Sequence, residues 1–124
     1  MSDAPLLSDA WLAECNASLL GAPGVEESDR PLIVTELVPD APEGAHRAVT
    51  LVADKDGVRL VAGEQPHASA WLTISMRDAA SLHRGDLDPA RALTEGRVRV
   101  RGDLGAVVAL VSVLADAHAR LQAR

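Results

Sequence analysis

The sequence predicts one domain of mixed helices and strands, and three local patterns carry that expectation. Apolar residues alternate at Ala70, Leu72 and Ile74, the period of a strand with one buried face. Val98 and Val100 alternate with Arg97, Arg99 and Arg101 in a second strand, guanidinium groups on one face and valines on the other. From Leu104 onward the period becomes helical, through Val107, Val108, Val111, Leu114, Ala115 and Leu121, and Leu110 and Val113 widen the apolar stripe beyond an ordinary amphipathic helix. At 124 residues and 13.0 kDa the chain can bury a sizeable single core, so residues 1–124 are read as one domain.

The elements follow in order. Ser8 can cap a helix from about Asp9 to Leu20, with Trp11, Leu12, Cys15 and Leu19 on one side and Gly21 as its stop. Residues 22–30 read as a loop. Leu32 to Val38 is apolar on both faces except at Thr35 and Glu36, as expected of a central strand. Pro39, Pro42 and Gly44 break it. A strand from His46 to Ala53 turns through Lys55-Asp56-Gly57 into Val58 to Ala62, because an Asp-Gly pair accepts positive φ cheaply. The segment from Gly63 to His67, with Pro66, carries the chain to the next strand at Ala68. Ser75 and Asp78 then have the spacing of a capping box, and Gly85 stops the helix they open. Asp88 and Pro89 supply an N-cap and a first-turn proline for a short helix that Gly96 closes. After the arginine-valine strand, Gly102 and Asp103 start the long final helix.

Composition removes several classes of function. Lys+Arg 12 against Asp+Glu 18 gives a formal charge of -6, whereas phosphate backbones call for clustered positive charge, so no nucleic-acid partner is expected. Phe and Tyr are absent and only Trp11 and Trp71 are aromatic, which leaves little to stack on a base or a sugar. No charge falls between Leu104 and Ala115, yet that run is well short of the roughly 20 apolar residues that span a bilayer, so no stable membrane insertion is expected. A lone cysteine and the absence of a secretory signal pattern point to a reducing, cytoplasmic location.

Chemistry-bearing motifs are sparse. His46, His67, His83 and His118 lack metal-ligand spacing, and no metal or other cofactor is expected. Cys15, on the apolar side of its helix, reads as a small hydrophobe. Asp54-Lys55-Asp56-Gly57 holds a fragment of a calcium loop without the remaining ligands, and so reads as a turn. Arg84-Gly85-Asp86 and Arg101-Gly102-Asp103 spell the cell-adhesion tripeptide, here at the ends of elements. A small isomerase or hydrolase would need a polar pair aimed into a cavity, and the histidines and carboxylates assemble none in the sequence. No catalytic residue is assigned.

Three segments together resemble the sterol carrier protein family in its small single-domain bacterial form: Trp71-Leu72-Thr73-Ile74-Ser75, Gly85 to Leu93, and Gly96 to Leu104 with the pattern Gly-Arg-x-x-x-x-Gly-Asp. The resemblance implies an α+β fold, a five-stranded sheet of order 3-2-1-4-5 with helices on one face, and an apolar tunnel between them. It also implies binding of sterols, fatty acids or acyl-CoA without turnover, or service as an accessory or dimerisation piece. Resemblance and periodicity together give Trp71, Leu82, Leu93, Val98, Val100, Leu104, Val107, Val108 and Val111 as candidate ligand contacts. Arg97, Arg99 and Arg101 are either a solvated edge or a site for an anionic headgroup. The expected function is non-enzymatic binding or transfer of a lipid-like molecule. The alternative is an interaction module, such as a homodimer, without a physiological lipid.

Overall fold

The computed structural model describes residues 5–19 and 31–108. In chain order these form helix α1 (Asp9–Leu19), strands β1 (Leu32–Leu37), β2 (Ala48–Asp54), β3 (Gly57–Ala62) and β4 (Ala70–Ile74), helices α2 (Met76–His83) and α3 (Pro89–Thr94), and strand β5 (Val98–Gly102). A last helix, α4, follows from Leu104 and is described as far as Val108. The expected stop at Gly21, the loop over 22–30 and the course of the final helix through Val111 to Leu121 lie outside the described residues.

One mixed sheet of order β3-β2-β1-β4-β5 holds the molecule together. β1 pairs antiparallel with β2 and parallel with β4, and β3 and β5 close the ladder antiparallel at its edges. The registers Val34↔Leu51, Val34↔Ala70, Leu51↔Leu60, Leu72↔Val100 and Ile74↔Val98 place these residues on one face. That face is the core, sealed by Leu12, Cys15 and Leu19 of α1, Ala79 and Leu82 of α2, and Ala92 of α3. The other face carries Thr35 and Thr50, wholly buried and 2.9 Å apart, and toward β5 it carries Trp71, Arg99 and Arg101. Thr50 Oγ1 also donates to the Gly63 carbonyl, where the chain leaves β3 to return toward β4.

Local chemistry sets the ends of the elements as expected. The Ser8 hydroxyl accepts from Trp11 N, Ser75 from Asp78 N, and the Asp88 carboxylate from Arg91 N. Asp40 accepts a further bond from Met76 N at 2.7 Å, so two side chains serve the amino end of α2. Two details depart from expectation. In the β2–β3 hairpin only Gly57 takes positive φ, at 125°, while Asp54 holds the turn by accepting from Asp56 N and from both terminal nitrogens of Arg59. Gly102 is the last residue of β5 rather than the first of α4, and Asp103 caps that helix by accepting from Gly105 N.

β3 and β5 are the sheet's exposed edges, where unpaired backbone groups invite another chain. At β3 the Asn16 carboxamide of α1 fills the place of a neighbouring strand. Asn16 Nδ2 donates to the Leu60 carbonyl at 2.9 Å, and Leu60 N donates to Asn16 Oδ1 at 2.7 Å. Asn16→Ala leaves both backbone groups without these partners and is expected to lower the unfolding free energy in urea by about 1–3 kcal/mol. Gly102 meets a stricter limit. Its φ is +94°, and an added Cβ would lie 2.4 Å from the Ser69 carbonyl oxygen. Gly102→Ala is therefore expected to be more damaging than Gly96→Ala, whose Cβ would meet nothing within 4 Å although its φ is also positive, when the two thermal midpoints are compared.

Candidate functional site

A recess opens between the β4–β5 half of the sheet and the helices that follow β4. Leu72 of β4, Val98 of β5, Leu82 of α2, Ala92 and Leu93 of α3, and Val107 and Val108 of α4 wall it, and every one is apolar. Strand alternation turns Leu72 and Val98 inward, the capped start of α2 aims Leu82 down onto the sheet, and Asp88-Pro89 sets α3 across β5. The cavity volume is about 20 Å³, room for roughly one water. With the open space in front of it the recess measures about 280 Å³. Val108 of its wall is 52% exposed, and Leu104, one turn earlier on α4, is 50% exposed, while Ala106 and Val107 between them are buried. The rest of the broad apolar stripe expected of the final helix lies outside the described residues.

The structure divides the nine candidate contacts. Leu82, Leu93, Val98, Val107 and Val108 come together in the recess. Val100 sits beside Leu72 on the same face and packs against the core, outside the recess wall, and Leu104 is at the exposed start of α4. Trp71 is on the opposite face, beneath the Arg101 guanidinium at 4.5 Å, a cation–π contact on the surface. Val111 lies outside the described residues. Leu72 and Ala92 were missed. The alternation of β4 was enough to find Leu72, whereas Ala92 carries no signal beyond lying next to Leu93.

Arg99 and Arg101 are exposed on the face away from the recess. Arg97, just ahead of β5, is shared between Glu95 at 3.1 Å and Asp78 at 3.7 Å. Cys15 is buried, and burial followed by the negative charge of Glu14 pushes its thiol up to about 12, so it is a thiol and not a nucleophile near neutrality. Among the described residues no cluster of His, Cys, Asp and Glu could hold a metal, and no helix is long and apolar enough to cross a membrane.

One polar pair went unseen in the sequence. Glu36 of β1 and His83 at the end of α2 are 47 residues apart, yet His83 Nε2 lies 3.1 and 3.2 Å from the two Glu36 carboxylate oxygens. Both side chains are almost wholly buried, and the Trp11 ring meets the imidazole edge-on at 5.3 Å between centroids. Burial opposes charge on the imidazole, but the charge and hydrogen bonds of Glu36 outweigh it, and the His83 pKa is raised above the ordinary 6.5. The pair lies one strand from the recess, since Glu36 is the register partner of Leu72, but neither residue belongs to its wall.

Solved structures share this architecture across nearly the whole chain. A crystal structure of sterol carrier protein 2 superposes with a TM-score of 0.62 at 17% identity, covering 94% of this chain and 96% of that one. A UbiJ-SCP2 ubiquinone synthesis protein gives 0.60 at 16% identity, covering 94% and 95%. The sec-alkylsulfatase Pisa1 from Pseudomonas sp. matches over 82% of this chain with a TM-score of 0.55 at 10% identity, and this chain spans only 14% of that enzyme. No curated protein sequence matches. The model of the SCP-2 sterol transfer family matches residues 38–115, more than half of the chain, and with the sheet order and helix placement described above this chain belongs to that family.

Proposed function

We propose that this protein binds an apolar, lipid-like molecule such as a fatty acid, an acyl-CoA or a sterol, and carries it without chemical change. The guest enters the recess under α2, α3 and α4. The observation that carries this reading is the recess wall, in which seven side chains from five elements are all apolar, with half-exposed Leu104 and Val108 beside it. Such a wall stabilises a guest by aliphatic contact at roughly 25 cal/mol per Å² of apolar area buried, with little demand on its direction. The recess as it stands has room for about one water, so a lipid-sized guest requires the short helices to move off β4 and β5. Membership of a sterol transfer family supports the same reading.

A second reading makes the domain an interaction module without a physiological lipid. The likeness to a small part of a larger alkylsulfatase and the exposure of Leu104 and Val108 favour it. Here Val108→Asp disperses a dimer or a complex and leaves the fold intact, as sedimentation would record.

The two readings separate in a titration of delipidated protein with a fluorescent fatty acid and a fluorescent sterol. Saturable binding at micromolar ligand is expected, and Leu93→Trp, which fills the recess, should weaken it about tenfold or more, equivalent to about 1.4 kcal/mol. Trp71→Ala, on the far face, should leave binding unchanged. Absence of saturable binding, or loss of binding in Trp71→Ala but not in Leu93→Trp, contradicts the proposal.

A further inference from the structure

The seam between α1 and α2 holds a charged pair for which an apolar guest has no direct use. His83 from α2, Glu36 from β1 and Trp11 from α1 meet at one imidazole, with the two charged side chains 9% and 5% exposed. Withdrawing two charges from water is costly, and an aliphatic contact would hold such a seam at least as firmly. What the ion pair adds is dependence on a single proton.

Its position ties it to the recess. Leu82, next to His83 on α2, and Leu72, the register partner of Glu36, both wall the recess. Ala79 and Leu82 hold α2 against the sheet by contact, and His83 holds its carboxyl end by charge. Displacing that end of α2 displaces one wall of a recess that, as it stands, has room for about one water.

We infer that His83 and Glu36 form a proton-operated latch: as imidazolium and carboxylate they pin α2 over the recess, and loss of the imidazole proton releases it. The Nε2 proton stays directed at Glu36, so the proton given to water is the one on Nδ1. What remains is a neutral hydrogen bond to a carboxylate buried without its counter-charge, a state that favours water entry and movement of α2. Because the folded-state pKa of His83 is raised, the pair's stabilisation is complete below the ordinary value of 6.5 and is lost as pH rises through the raised value.

Among the described residues no other charged group is placed to reverse the sign. From α1 the imidazole meets Trp11, and from β4 the neighbouring inward residue is Leu72. On α2 itself, Arg84 is turned outward to Asp86, and Asp78 faces Arg97. The His46–Asp9 pair at the start of α1 is exposed and bridges different elements, and the Cys15 thiol titrates only at about 12.

The latch is testable without a lipid. In a Trp71→Phe background Trp11 is the sole tryptophan, and its fluorescence should follow a one-proton transition with its midpoint above 6.5. The His83 ring resonance should titrate at the same midpoint. His46→Gln should preserve the transition and His83→Gln should abolish it. Should His83→Gln fail to fold, Glu36→Gln serves instead and should drop the His83 midpoint below 6.5. A second arm rests on the lipid-binding proposal: dissociation of a pyrene-labelled fatty alcohol, which does not itself titrate here, should be slow below the midpoint and about tenfold faster above it. No transition at Trp11, or one that survives His83→Gln, overturns the latch. A transition at Trp11 with no binding of the alcohol at any pH leaves the latch standing and contradicts the lipid reading.

Discussion

The parallel pairing of β1 with β4 is the constraint from which the rest of the architecture follows. Parallel neighbours cannot be joined by a tight turn, so the chain between them builds the β2–β3 hairpin and then returns the length of a strand before β4 begins. The same order leaves α1 on the β3 side of the covered face, and α2 and α3 on the β5 side. A seam between the two helical groups therefore falls above β1. Glu36 points into that seam, and the recess opens beside it.

Two kinds of force meet there and do different work. The recess wall is aliphatic, so it rewards buried area and selects by shape and size. The seam is ionic, so its strength depends on protonation and on exclusion of water. A recess with room for about one water under short helices fits one state of a device that opens further. The helices over it are short, α2 and α3 having eight and six residues. Helices this short owe their stability to packing and caps, not to their own length.

Much of this could be read in the sequence because its determinants are local. Ser8, Ser75, Asp88 with Pro89, Gly85 and Gly96 each act within a few residues of themselves, and strand alternation is a property of consecutive positions. The sheet order came from family resemblance, which the strand pairing bears out. The polar contacts that fix tertiary placement were not legible. Thr35 and Glu36 stood out as the two polar residues of an otherwise apolar β1, but nothing in the sequence says that one meets Thr50 and the other His83. Nor does the sequence say that α1 brings Asn16 to the edge of β3. In the candidate site, helical periodicity reaches Val107 and Val108, which line the recess, and Leu104, which does not. The alternation that turns Leu72 inward also turns Trp71, a candidate contact on resemblance and periodicity together, to the opposite face.

Everything said about carriage of a guest depends on whether the space under α2, α3 and α4 takes up an oil-like molecule. Native mass spectrometry of the protein isolated from its own host under non-denaturing conditions weighs this directly. The account predicts a species heavier than the chain by the mass of one lipid, which denaturation releases and incubation with lipid extract restores. A mass equal to the bare chain, before and after that incubation, contradicts it.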